Sequence, residues 1–136
     1  MVTIHNQRNP QINIKHIFHG EIKSGKAVGF HHSVSIGHHG RARIVGMTKA
    51  PNAQGVYEAT VEIFDATNGN WILKSKPSTF FPDSWSRAQV LDEIRGAFNN
   101  QVYTNGPYWE GISPSGVRIG GWLDAAGNIN TAYPHY

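Results

Sequence analysis

Residues 56–64 read VYEATVEIF, and their alternation decides the fold class. Tyr57, Ala59, Val61 and Ile63 fall on one side of an extended chain and Glu58, Thr60 and Glu62 on the other, the period of two of a half-buried strand. Thr67-Asn68-Gly69-Asn70 supplies a turn and Trp71-Ile72-Leu73 begins a returning strand, so the segment predicts a β-hairpin. Upstream, residues 42–47 read as a further short strand. Downstream, Ser84-Trp85-Ser86 opens a helix, with Val90, Leu91, Ile94, Ala97 and Phe98 at helical spacing, Ser86 and Gln89 at capping-box spacing, and Asn99-Asn100 ending it. Residues 117–123 and 129–133 follow as strands joined by a turn. At the other end, residues 11–18 (QINIKHIF) fit a short helix stopped by Gly20 as well as a strand, and the helix is the reading taken here. Five glycines between positions 20 and 40 read as an exposed loop carrying His31, His32, His38 and His39. The sum is α+β: a mainly antiparallel sheet with a few helices packed on it.

A chain of 136 residues with 39% hydrophobic content is expected to form a single domain over residues 1–136. Cysteine is absent, which excludes disulfide frameworks, thiolate catalysis and Cys-based zinc sites. No apolar run approaches the ~18 residues of a membrane helix, and the first thirty residues contain no apolar stretch resembling a signal peptide. The expectation is a soluble chain with no membrane partner, whose export would rely on sequence outside it.

Net charge is +3, but the charge is unevenly placed. Residues 1–49 hold Arg8, Lys15, Lys23, Lys26, Arg41, Arg43 and Lys49 against one acid, Glu21, a local excess of +6. The same third contains seven of the eight histidines: His5, His16, His19, His31, His32, His38 and His39. A cationic segment rich in groups that titrate near neutrality suits a polyanionic ligand and acid/base chemistry on it.

Elimination narrows the chemistry. The histidine pairs lack a helical HExxH arrangement and have almost no carboxylates nearby, so no metal site is assigned. No GxSxG elbow, no paired carboxylates in the basic third and no P-loop are present. Two histidines plus a lysine remain, a set that suits RNA cleavage without metal or other cofactor. The ribose 2′-OH attacks its own phosphodiester, one imidazole removes the 2′ proton, another protonates the departing 5′ oxygen, and a lysine stabilises the phosphorane. DNA, lacking that hydroxyl, would resist.

Residues 15–32, KHIFHGEIKSGKAVGFHH, resemble the paired blocks of EndoU-type endoribonucleases, an HxFxGE block followed about fifteen residues later by GFH. Residues 74–86, KSKPSTFFPDSWS, are similar to the lysine and FPxxWS block of the bacterial EndoU toxin branch, and Asn130-Thr131-Ala132-Tyr133-Pro134 to its T-x-Y-P ending. These blocks occur in family order and span nearly the whole chain.

The resemblance implies an EndoU/ribonuclease-like fold and an endoribonuclease that needs no cofactor and leaves 2′,3′-cyclic phosphate ends. Its catalytic residues would be His16, His31 and Lys76, with Lys74 as the competing lysine because spacing before the FFP triplet varies. Thr131 and Tyr133 would orient the ribose and contact the base, with a preference for uridine. It further implies an antibacterial toxin module of a larger secreted or surface-delivered protein, as in contact-dependent growth inhibition. That module would act on RNA, tRNA being one candidate, in the target-cell cytoplasm and be silenced by an immunity protein with an acidic contact surface. A non-catalytic RNA-binding module and a degenerate EndoU-like interaction domain are the alternatives.

Overall fold

A computed structural model describes residues 10–35 and 41–136. His5, Arg8, His38 and His39 lie outside the described residues, and with them the second of the two histidine pairs. The elements run α1 (Ile14–Phe18), β1 (Glu21–Lys23), β2 (Lys26–Val28), a 3-10 turn (Ser33–Ser35), β3 (Ala42–Lys49), β4 (Tyr57–Asp65), β5 (Asn70–Leu73), β6 (Ser78–Phe80), α2 (Arg87–Phe98), β7 (Gln101–Asn105), β8 (Tyr108–Ile112), β9 (Arg118–Leu123) and β10 (Ile129–Pro134). The expected α+β class holds.

Strand β4 is the axis of the first sheet. Its Tyr57, Ala59, Val61 and Ile63 are buried, as the alternation requires, while Glu58, Thr60 and Glu62 are half-exposed. One edge of β4 pairs with β3; the other pairs with β5 near Glu62–Asp65 and with β6 near Tyr57–Ala59. Lys74 and Lys76 lie in the short connection between β5 and β6, where the chain leaves β4 and rejoins it. The second sheet has the order β10-β9-β8-β7, all antiparallel, and β1 with β2 forms a separate small hairpin.

Helix α2 begins where Ser86 Oγ accepts from the Gln89 amide at 3.1 Å. The Gln89 side chain reaches Glu93 at 3.4 Å instead of returning to the cap, so only half of a capping box forms. Val90, Ile94 and Ala97 face the second sheet with no exposed surface. Gly111 of β8 lies so close under the Ala97 carbonyl that a side chain there would collide with it, which is why the helix can sit down on this strand.

Two apolar cores result. One joins Ile12, Ile17, Phe18, Phe81, Trp85 and α2 to Trp109, Ile119 and Ile129 of the second sheet; the other packs Ala27, Phe30 and Phe80 against β4. Each fully buried large side chain contributes on the order of 1.5–3 kcal/mol of transfer free energy. Phe80 and Phe81 point into different cores, as adjacent strand residues must, and so stitch the two together.

The short α1 is held by its neighbours rather than by its length. Asn13 Oδ1 accepts from the His16 amide at 3.1 Å, and the chain before it bridges β10 in parallel at Ile12 and Ile129. The expected exposed loop between Gly20 and Gly40 needs correction. Its first part is the β1–β2 hairpin, and Phe30, His31 and His32 are buried, His32 completely. Strands β6, β7 and β8 were also not expected: β7 is exposed throughout and carries no alternation of polarity to reveal it.

Candidate active site

The two histidine blocks meet because backbone groups of α1 are left without helical partners. The Phe30 amide donates to the His16 carbonyl at 2.9 Å and the His31 amide to the Ile17 carbonyl at 2.7 Å. Gly29, at φ +83°, passes directly over the His16 carbonyl, in space that no side chain can share. Phe30 follows at φ 72°, a left-handed conformation unusual for a bulky residue, and is held there by its edge-on contact with Phe80. This bend turns His31 back toward His16. Their rings lie 6.4 Å apart between centroids.

Both rings line a cleft of about 440 Å³, together with Lys74, Lys76, Thr79, Trp122, Thr131 and Tyr133. His31 Nδ1 donates to the Thr79 carbonyl at 2.8 Å, which fixes the tautomer and leaves Nε2 as the nitrogen that exchanges protons. The His31 carbonyl in turn accepts from the Phe81 amide at 2.8 Å, so β6 and the residue after it clasp this position from both sides. His16 directs Nδ1 toward Glu21 Oε1 at 3.6 Å, and neither atom has a hydrogen-bond partner. Lys23 stands 3.7 Å from the same carboxylate.

The two lysines differ. Lys74 is half-buried; its Nζ donates to Ser78 Oγ at 2.6 Å and to the Gly29 carbonyl at 3.2 Å, and Ser78 Oγ donates to that same carbonyl. Lys76 is exposed at the cleft edge. On the facing wall, Thr131 and Tyr133 share one side of β10, and the Tyr133 ring lies 5.7 Å from that of His31 and stacks on His135. Trp122, paired with Thr131 across the sheet, is 45% exposed at the rim. Trp85 is a core residue stacked on Phe81.

The field in the cleft follows from burial. Desolvation pushes His16 down to about 4 against the upward pull of Glu21. Desolvation, then the neighbouring Lys74 ammonium, pushes His31 well below the usual imidazole range. Burial also pulls Lys74 down to about 8. At neutral pH the cleft therefore presents two neutral imidazoles beside the Lys74 side chain, with Lys76 at its edge. His32 takes no part in it: its Nε2 donates to the Trp85 carbonyl at 2.9 Å, away from the lining residues. His19 contacts Arg87 outside the cleft. Among the described residues, no group of three or more His, Asp or Glu side chains is arranged to hold a metal ion.

All five residues singled out in the sequence thus line one cleft, and Lys74 lines it too. Sequence reasoning missed Ser78 and Thr79, whose neighbours Lys74 and Phe81 are the only hint, and gave Glu21 no role although it closes the HxFxGE block.

Two imidazoles beside a lysine, opposite a hydroxyl and an aromatic ring, form an arrangement suited to phosphodiester chemistry. The bacterial EndoU nuclease family matches residues 10–136, and the chain belongs to it. It is also similar to a Bacillus cereus protein named Toxin, with 36% identity over 132 residues. That match covers 96% of this chain but only 23% of the relative's length. No solved structure matches the chain.

Proposed function

We propose that the chain is an endoribonuclease that cuts RNA at uridines without a metal ion and leaves 2′,3′-cyclic phosphate ends. The observation that carries this reading is the convergence of His16, His31 and Lys74 on one cleft faced by Thr131 and Tyr133. His31 is the base: its Nδ1–H is committed to the Thr79 carbonyl, so neutral Nε2 accepts the 2′ proton. His16 is the acid: Glu21 at 3.6 Å and the charge of the bound phosphodiester favour the imidazolium, which donates to the departing 5′ oxygen. Lys74 stabilises the negative charge that builds on the phosphorane. The resemblance favours Lys76 for that role; the half-buried, hydrogen-bonded ammonium of Lys74 has the stronger claim. Thr131 Oγ1, able to donate and accept, suits uracil, and the Tyr133 ring supports the ribose.

Likeness to a protein named Toxin supports a wider reading, in which this chain is the toxic module of a larger delivered protein. Its target is RNA in the recipient cytoplasm, tRNA being one candidate. In the producing cell a cognate immunity protein, acidic over its contact surface, covers the cleft, since charge complementarity speeds capture of a basic site.

Labelled RNA incubated in excess EDTA tests the chemistry. Cyclic phosphate ends are expected, and RNAs with a 2′-deoxy or 2′-O-methyl group at the scissile uridine should stay intact. A strict metal requirement, or 3′-OH products, overturns the reading.

A further inference from the structure

A second cavity, of about 470 Å³, has Glu21 in its wall, and that carboxylate lies 3.6 Å from Nδ1 of His16, a residue of the first cleft. The second cavity is lined by Lys15, His19 and Arg41 and floored by Ile63, Phe64 and Asp65. Its carboxylates are already engaged. Asp65 accepts from the Thr67 amide and the Asn68 side chain, each at 3.0 Å, and Glu21 faces His16 and Lys23. Its two fixed cations are not: among the described residues neither Lys15 nor Arg41 has a carboxylate within ion-pair distance. Arg41 lies over the face of Phe64 at 5.8 Å, a stacking that holds the guanidinium while leaving its N–H edge available.

We propose that this cavity is a phosphate subsite for the RNA strand flanking the cut, with Lys15 and Arg41 as the binding groups. The proposal rests on the ribonuclease reading above. Lys15 and His16 are adjacent on α1, so a strand whose scissile phosphate is at His16 needs only to pass across one turn of helix to bring a neighbouring phosphate to Lys15. Such contacts supply affinity without reading sequence. They explain why basic residues cluster on the segment that also carries the acid/base pair.

The test compares a uridine-containing dinucleotide, too short to reach the second cavity, with a single-stranded RNA of some fifteen nucleotides containing one uridine. Lys15→Ala and Arg41→Ala should each raise KM on the long RNA about fivefold, the upper range for an exposed charge contact, with kcat held. Each should also flatten the salt dependence of binding by about 0.7 in log–log slope. The effect should be confined to the long substrate, and Lys26→Ala, an exposed cation of β2 outside both cavities, should leave both substrates unaffected. If the parent cuts neither RNA, the ribonuclease reading falls. If the parent cuts both and the two variants keep their KM and salt slope on the long RNA, or if Lys26→Ala costs as much as either, the subsite falls while the ribonuclease reading stands.

Discussion

Gly29 packs against the backbone carbonyl of His16 so closely that the two residues admit no atom between them. One half of the site is therefore positioned by the absence of a side chain in the other half. Gly29→Ala meets both a collision with that carbonyl and a φ of +83°, which alone costs an L-residue about 1–2 kcal/mol. The variant should lose roughly 2 kcal/mol or more of stability and most of its cleavage activity, checked by urea unfolding and by RNA cleavage well below the new midpoint. Full activity in a stable variant would show that the close approach is not needed.

Lys74 and Lys76 can be separated directly. Lys74→Ala should cut the cleavage rate by at least about 100-fold, as for loss of a preorganised charge at the transition state, and Lys76→Ala by less than about tenfold. Because burial brings Lys74 down to about 8, its ammonium loses the proton as pH rises past that value, so the parent's rate should fall on the alkaline side near pH 8. A rate that holds steady to pH 10, or equal losses in both variants, contradicts the assignment.

Acid should weaken the fold through the same residues. His16 binds its proton near 4 when folded and near 6.5 when unfolded, so between those values the unfolded chain holds the extra proton and stability falls as pH drops. At pH 5 this one group costs roughly 2 kcal/mol relative to pH 7. Denaturant midpoints of the parent and of His16→Gln, taken at both pH values, should differ in slope by about that amount; parallel behaviour would mean that His16 is not desolvated as its burial implies.

Thr131 and Tyr133 should divide specificity from rate. Thr131→Val keeps the shape and removes the hydroxyl, so uridine should lose most of its advantage over cytidine with a smaller loss of rate. Tyr133→Ala removes the ring beside His31 and should slow cleavage of every sequence alike. Short RNAs that differ only at the scissile nucleotide make the comparison. An unchanged uridine preference in Thr131→Val would place base recognition elsewhere.

The parts of this fold that could be read in the sequence are those where one periodicity dominates. Residues 56–64 alternate because β4 is buried on one face only, and α2 shows its stripe because one side rests on a sheet. The β1–β2 hairpin was hidden because three-residue strands are too short to show a period. His31 and His32 read as loop residues because glycine surrounds them, whereas their burial comes from Phe30 anchoring in one core and β6 closing over them. The site residues were legible through resemblance rather than periodicity. The difference between the two lysines was not, since it depends on the β5–β6 connection turning Lys74 inward toward Ser78 and the Gly29 carbonyl.

His16 rides on a helix rooted in one apolar core, while His31 follows a phenylalanine rooted in the other. The gap between the two histidines is thus a property of the joint between two cores rather than of either core alone. A loosening of that joint too slight to expose either core would still detune the pair, so catalysis should fade before spectroscopic unfolding begins. An agent that wedges the joint open would silence the enzyme without touching a single reacting atom.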